Sequence, residues 1–312
     1  MQAIAALGEV MIELAPAPGQ LKQLAYAGDT YNTAIYLARL GVPTQYVTRL
    51  GTDLYSQEIL QQLAQEQIDA SLIEQDQQRQ PGLYMITNTP DGERQFAYWR
   101  DQSAARLMFN HAEPDSALMS CRYLYLSGIT LAIISPEARA RLASFLSRYR
   151  AQGGQVAFDS NYRPRLWPSQ AVAQETTAQF LRLSDMALLT IDDEILLWQD
   201  ADQAAVLERL AHYQLTELVI KRGAEPALVI IGGEQRAVPV AKIDKVVDTT
   251  AAGDSFNAGY LAARYEGKTP EQAVALGAAC AGAVIQHRGA ILPKPVFLNL
   301  LQEVQSKLAA KA

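Results

Sequence analysis

Cysteine is scarce in this chain: Cys121 and Cys280 are the only two among 312 residues, and they lie far apart. That count argues against a disulfide framework and for two buried, reduced thiols, with a cytoplasmic location following from it. No cluster of histidine or cysteine has the spacing of a metal site. Basic charge is also in short supply, with 27 Lys and Arg against 33 Asp and Glu and a net charge of −6. A nucleic-acid partner normally demands a basic face, so none is expected. Any arginine that binds a ligand must therefore act from a local position. No apolar run approaches the ~18 residues that a membrane span needs, so no membrane partner is expected either. Residues 1–14 carry no Lys or Arg ahead of their apolar run, and Glu9 and Glu13 interrupt it. They read as a first buried strand, not as a secretory segment.

Familiar nucleotide motifs are missing as well. There is no Gly-x-Gly-x-x-Gly fingerprint. Gly267-Lys268-Thr269 imitates the end of a P-loop, but Ala262 stands where the first glycine belongs and the run follows a helical pattern. It reads as a surface turn. Internal repeats, low-complexity tracts and long linkers are absent too.

What is present is an ordinary globular composition, 49% hydrophobic and 19% charged, sufficient for a sizeable core. Short apolar runs alternate with helical patterns, the habit of a parallel sheet covered by helices. Strands are predicted at 44–49, 123–126, 155–158, 186–189 and 218–221. Helices are predicted at 30–40, 54–66, 136–151, 170–181, 194–199 and 271–287, with Pro136 and Pro270 suited to first-turn positions. Two segments break the rhythm. Residues 82–99 read as a β-hairpin turning at Pro90-Asp91-Gly92, and 13–27 as an irregular, extended stretch. Together they can build a small sheet outside the main domain.

The most informative run is Asp248-Thr-Thr-Ala-Ala-Gly-Asp254, which leads into an amphipathic helix over 255–265. Ala251, Ala252 and Gly253 are small, and they stand where the backbone N–H groups and dipole of a helix N-terminus favour an anion. A carboxylate at that spot would repel a phosphate unless it had work to do. Asp254 is therefore read as a base aimed at a hydroxyl that attacks a phosphoryl group, with the N–H groups of 251–254 neutralising the developing charge. A helix-capping Asp is the alternative. Asp248 is expected to stabilise the turn or a cation site.

This run resembles the C-terminal signature of the PfkB (ribokinase-like) carbohydrate kinases, Asp-Thr-x-Gly-Ala-Gly-Asp, with Ala251 in place of the usual first glycine. Ala27-Gly-Asp-Thr-Tyr-Asn-Thr-Ala34, with Gly41 and Gly51, resembles the family's N-terminal motif, with Thr30 where a small apolar residue is preferred. The resemblance covers essentially the whole chain. It implies an α/β, ribokinase-like three-layer fold with a mostly parallel central sheet and a protruding β-lid. The chain would form one catalytic domain over residues 1–312, with lid segments at about 13–27 and 82–100 inserted. It also implies ATP as phosphoryl donor with Mg²⁺, a small-molecule sugar as partner, and room for a monovalent cation and for a homo-oligomer.

Within the family, Phe158-Asp-Ser-Asn-Tyr-Arg-Pro-Arg-Leu-Trp167 is similar to the segment found in 2-keto-3-deoxygluconate kinases. The similarity implies that Asn161 faces nucleotide phosphates and that Arg163 faces both phosphate and a substrate carboxylate. It implies that Tyr84, Tyr98 and Arg100 grip the sugar acid from the lid. The residue types suit that task, since arginine offers a planar fork and tyrosine an apolar face with a polar tip. Gly28, Asp29 and Asn32 would meet sugar hydroxyls, with an N-cap role for Asp29 as the rival reading. Ile191-Asp-Asp-Glu194 occupies the place of the family's Asn-x-x-Glu, so only Glu194 carries over, reaching Mg²⁺ through water. Asp192 and Asp193 are explained by the helix dipole. Lys221-Arg-Gly-Ala224 resembles the loop that holds ribose and phosphates, with Gly223 and Ala224 as the main contacts. The stretch from Cys280 to Gln286 would flank adenine or serve close helix packing. The implied activity is ATP-dependent phosphorylation of 2-keto-3-deoxy-D-gluconate at its 6-hydroxyl. Another family sugar kinase such as a fructokinase, and a catalytically idle sugar-acid sensor, are the alternatives.

Overall fold

The computed structural model describes residues 2–18, 21–88, 94–240 and 242–309. Its strands in chain order are β1 (Ile4–Leu7), β2 (Met11–Pro16), β3 (Lys22–Ala27), β4 (Thr44–Val47), β5 (Arg49–Leu50), β6 (Glu74–Gln75) and β7 (Gly82–Asn88). They continue with β8 (Arg94–Trp99), β9 (Tyr123–Ser127), β10 (Gln155–Asp159), β11 (Met186–Thr190), β12 (Glu217–Lys221), β13 (Ala227–Ile231) and β14 (Glu234–Val238). Eight of them form the main sheet in the order β14-β13-β12-β11-β10-β9-β1-β4. It is parallel from β4 to β12 and antiparallel at β13 and β14.

Side chains alternate across a strand, so a sheet with apolar residues at every position must be covered on both faces. The central strands obey this. Ile4, Ala6, Tyr125, Ala157, Leu188 and Val219 enter one core, together with the helices Asp29–Arg39, Ala252–Tyr265 and Pro270–Val284. Ala5, Leu7, Leu126, Phe158, Leu189 and Ile220 enter the other, with the helices Pro136–Ala151, Gln170–Arg182 and Gln203–Ala211. The result is three layers. Where the helices Ala252–Tyr265 and Pro270–Val284 cross, a Cβ on Gly259 would sit 2.8 Å from the Gly277 Cα and 2.9 Å from the Cys280 Sγ, so small residues here permit close packing.

A second sheet, β3-β2-β7-β8, stands apart from the first. Within the span predicted as an irregular stretch, Glu13 to Pro16 and Lys22 to Ala27 belong to two regular antiparallel strands, β2 and β3. The predicted turn at Pro90-Asp91-Gly92 lies outside the described residues. Residues 1–14 are also more than one strand: β1 belongs to the main sheet and β2 to the lid, the chain changing sheets around Gly8. A Cβ on Gly8 would come within 2.2 Å of the Thr30 hydroxyl, so the crossing is tight. The predicted strand at 44–49 likewise ends at Val47, and Arg49–Leu50 pairs separately with β6. Helix ends shift by a few residues: the helix predicted at 194–199 spans Ile191–Trp198, and that at 271–287 spans Pro270–Val284. Gly267-Lys268-Thr269 is a turn, and Thr269 caps the following helix in a capping box with Gln272.

Candidate active site

The Ala252–Tyr265 helix opens on Ala251, whose φ of 60° places it in the left-handed region. Three small residues tolerate that geometry and leave the approach to the helix N-terminus open. Asp248 holds the turn from outside. Its carboxylate accepts from Thr250 N at 3.0 Å, Thr250 Oγ1 at 2.8 Å and Gly289 N at 2.8 Å. One expected anion donor is already engaged, because the Ala252 N–H donates to the Thr249 carbonyl at 3.2 Å.

Asp254 lies in the first turn, and Asn32 Nδ2 donates to its Oδ2 at 2.8 Å. Thr33 Oγ1 bridges the two helix starts, donating to the carbonyls of Asp254 at 3.1 Å and Asp29 at 3.0 Å. Asp29 is not an N-cap. Gly28 holds that position, and the buried Asp29 carboxylate accepts from Asn161 Nδ2 at 3.0 Å. Gly28 itself is needed for chain packing, since a Cβ there would fall 2.0 Å from the Glu9 carbonyl oxygen.

The network continues inward from the C-terminal edges of β10 and β12. Asn161, at φ 34°, donates its N–H to Asp159 Oδ1 at 3.2 Å. Asp159 Oδ2 accepts from Lys221 Nζ at 2.8 Å and Asn257 Nδ2 at 2.7 Å, and Lys221 also donates to Asn257 Oδ1 at 3.0 Å. Lys221 Nζ would be 3.6 Å from a Cβ on Gly253, which puts the ammonium just under the small-residue turn.

Three carboxylates, Asp254, Asp29 and Asp159, therefore act on one another across a largely desolvated cleft, with Lys221 among them. Burial, and then the neighbouring Asp29 charge, push the Asp254 carboxyl up to about 8, against the opposing hydrogen bond from Asn32. Burial raises Asp29 as well. A carboxylate with so high a pKa is a competent proton acceptor near neutral pH.

The lid supplies the second half of the site. Register places Glu13 opposite Tyr84 and Tyr84 opposite Tyr98, so the three form one row on one face of the sheet. The Tyr84 hydroxyl donates to Glu13, and its ring lies 5.9 Å from that of Tyr98. Burial first, then Glu13, drive the Tyr84 phenol pKa up, and Asp254 adds to the rise across the cleft. Arg100 follows the lid with its guanidinium 5.9 Å from the Tyr98 ring centre, and it is paired with Glu9. Ser103 donates to the same carboxylate.

Other predicted residues surround this cluster, and the Asp159 charge acts on both Asp193 and Glu194. Arg163 is half-exposed and donates to Asp193 Oδ1 at 3.2 Å, so Asp193 has a partner beyond the helix dipole. Glu194 is fully buried and accepts from Arg209 Nη2 at 3.0 Å, while its Oε1 has no hydrogen-bond partner among the described residues. Burial raises its pKa. Gly223, at φ 61°, and the exposed Ala224 form an open turn after β12. Val247 N and Asp248 N both donate to the Ile285 carbonyl, at 2.7 and 3.1 Å, tying the 248–254 turn to the Cys280–Gln286 region.

Sequence reasoning assigned no role to Glu9, Glu13, Asp159 or Asn257. A faint signal existed for each. Glu9 and Glu13 are acids inside an apolar run, where only a buried partner makes sense. Asn257 lies three positions after Asp254, one helical turn on.

An α/β sheet with a β-lid over a turn of small residues and a carboxylate at a helix N-terminus defines a phosphoryl-transfer enzyme of the ribokinase-like class. The chain belongs to the pfkB family of carbohydrate kinases, whose model matches residues 1–296. It is 46% identical over 301 residues to a 2-dehydro-3-deoxygluconokinase of Escherichia coli, covering 93% of this chain and 97% of that protein. It is 44% identical over 300 residues to a 2-dehydro-3-deoxygluconokinase of Dickeya dadantii, covering 93% of this chain and 96% of that protein. Among solved structures, a PfkB protein from a Polaromonas species superposes with a TM-score of 0.83 at 27% identity, covering 96% of this chain and 99% of that one.

Proposed function

We propose that this chain is an ATP-dependent kinase that phosphorylates 2-keto-3-deoxy-D-gluconate at its 6-hydroxyl, acting as one catalytic domain. The observation that carries the reading is the Asp254 carboxylate, held by Asn32 in the first helical turn directly after the small residues 251–253. Asp254 takes the proton of the attacking hydroxyl, and the helix N-terminus with Lys221 balances charge on the transferred phosphoryl group. Asn32 orients the Asp254 carboxylate, and Asp29 meets sugar hydroxyls from a position braced by Asn161. Tyr84, Tyr98 and Arg100 hold the sugar acid from the lid, and the half-exposed Arg163 reaches carboxylate and phosphate by exchanging its partner Asp193. Gly223 and Ala224 border the nucleotide, with the phosphates near Asn161. Glu194, whose Oε1 makes no hydrogen bond by distance among the described residues and whose carboxyl also feels the Ser160 hydroxyl, would hold a water of hydrated Mg²⁺, and that ion would neutralise phosphate charge when bound with ATP. A fructokinase activity is the alternative within the same family. Turnover of ATP with Mg²⁺ across a panel of ketodeoxygluconate, gluconate, fructose and ribose tests the reading. A preference for fructose over the sugar acid rejects the substrate, and turnover with none of them rejects the activity.

A further inference from the structure

A second cavity, of about 650 Å³, shares no lining residue with the site described above. That volume lies in the range typical of small-molecule sites. Three arginines line it, Arg79, Arg106 and Arg139, against a single lining acid, the exposed Asp101. None of the three guanidinium groups forms a salt bridge with a carboxylate among the described residues, although most other arginines here do.

Their surroundings make this an unusual concentration of charge. All three are partly shielded from solvent. Arg139 is held in orientation: its Nε donates to the Leu131 carbonyl at 2.7 Å, and its guanidinium lies 5.1 Å from the centre of the Trp167 ring. Its two remaining nitrogens have no protein acceptor among the described residues. Burial, and then the like charge of Arg106, lower the Arg139 pKa, so the two cations feel each other. Ile134 and Trp167 supply an apolar wall beside these donors. Arg79 already feels the Asp76 carboxylate, but Arg106 and Arg139 are like charges without a salt-bridge partner among the described residues in a partly desolvated cavity, an arrangement that is unfavourable until an anion joins them. Guanidinium forks match phosphate and carboxylate oxygens, and the apolar wall suits a carbon skeleton over a bare inorganic ion.

We infer that the cavity bounded by Arg79, Arg106, Arg139 and Trp167 is a binding site for a small organic anion carrying a phosphate or several carboxylates. It is separate from the sugar-acid site, although Trp167 closes the loop that carries Arg163.

The test is calorimetric titration of the full chain with citrate and, separately, with glycerol 2-phosphate, in the wild type, Arg106→Ala and Arg100→Leu. At least one anion binds the wild type, and its relative strength against the other separates carboxylate from phosphate recognition. Arg106→Ala weakens that binding by about tenfold or more, as loss of one guanidinium contact worth about 1.4 kcal/mol requires. Arg100→Leu, its fold first checked by circular dichroism because the change leaves Glu9 without its partner, leaves it within about twofold. Arg106→Ala also keeps the wild-type kcat for the kinase reaction, because the link from Arg106 to that site is its backbone N–H donating to the Ser103 carbonyl at 3.2 Å, which alanine retains. If Arg106→Ala does not fold by circular dichroism, Arg79→Gln replaces it with the same expectation. Absence of binding by both anions below about 10 mM, or binding that is lost in Arg100→Leu and kept in Arg106→Ala, overturns the proposal.

Discussion

Asn32 Nδ2 donates to Asp254 Oδ2 at 2.8 Å, joining residues 222 positions apart in the chain. The bond fixes one carboxylate oxygen, and among the described residues the other carries no hydrogen bond. It also ties the first helix after the lid to the helix that carries the small-residue turn. The site is therefore assembled only when these two helices pack together in their shared core, and its base is oriented before any substrate arrives.

Replacing Asp254 with Asn removes the proton acceptor and keeps the shape. The kcat should fall by roughly 10²–10⁴-fold, the usual contribution of a general base. Affinity for ATP should change little, since the backbone at 251–254 is untouched. Steady-state kinetics with a separate ATP titration checks both; turnover near that of the wild type removes Asp254 from the proposed role.

The same substitution should stabilise the fold in a pH-dependent way. Asp254 is raised in the folded chain to about 8, against an ordinary carboxylate value of about 3.9. Its contribution to stability is complete below the unfolded value and is lost as pH rises through the folded one. Asp254→Asn should thus show a higher Tm than the wild type at pH 8.5, and a smaller advantage at pH 5. Thermal unfolding at the two pH values decides the matter, and an advantage that is larger at pH 5 contradicts the raised pKa.

Activity should follow the same titration. Ionised Asp254 is the working form, so kcat/KM should rise with pH and level off above about 8. Burial is the first cause of the shift and Asp29 the second, so Asp29→Asn should move the midpoint to lower pH. A profile measured on both proteins with unchanged midpoints would show that the two carboxylates do not interact.

Glu9 pairs with Arg100 inside the protein, with 1% and 6% of their side chains exposed. Removing one partner leaves the other charge buried and uncompensated, which typically costs about 3–5 kcal/mol. Glu9→Ala should therefore lower stability by that order and raise KM for the sugar acid, because Arg100 loses its anchor. Urea denaturation and KM measured together are the check; a stable variant with normal KM would mean that Arg100 needs no anchor.

Arg100 should also decide acid over neutral sugar. Glu9 already pairs with Arg100, but the buried Arg100 Nε has no hydrogen-bond partner among the described residues, and a substrate carboxylate satisfies that donor better than a hydroxymethyl group does. Arg100→Leu should raise KM for ketodeoxygluconate far more than for ATP, and reduce the ratio of its kcat/KM to that of fructose. An unmoved ratio, measured on the two sugars side by side, would defeat the sugar-acid assignment and leave the kinase reading intact.

Much of this was legible from residue order alone. Alternating apolar runs and helical patterns determined a parallel sheet covered on both faces, because strand and helix periods are local properties of the chain. The small-residue turn with Asp254 was equally visible, since helix N-terminus chemistry is confined to a few neighbouring residues. The lid was readable as a hairpin over 82–99 and an irregular, extended stretch over 13–27, but the row Glu13–Tyr84–Tyr98 was not, because strand register is decided by pairing across the sheet. The same holds for the Asp159–Lys221–Asn257 network, for Glu9 beneath Arg100, and for the pKa of Asp254. Desolvation and charge–charge effects depend on distances in space, and residues 222 positions apart acquire those distances only when the chain has folded.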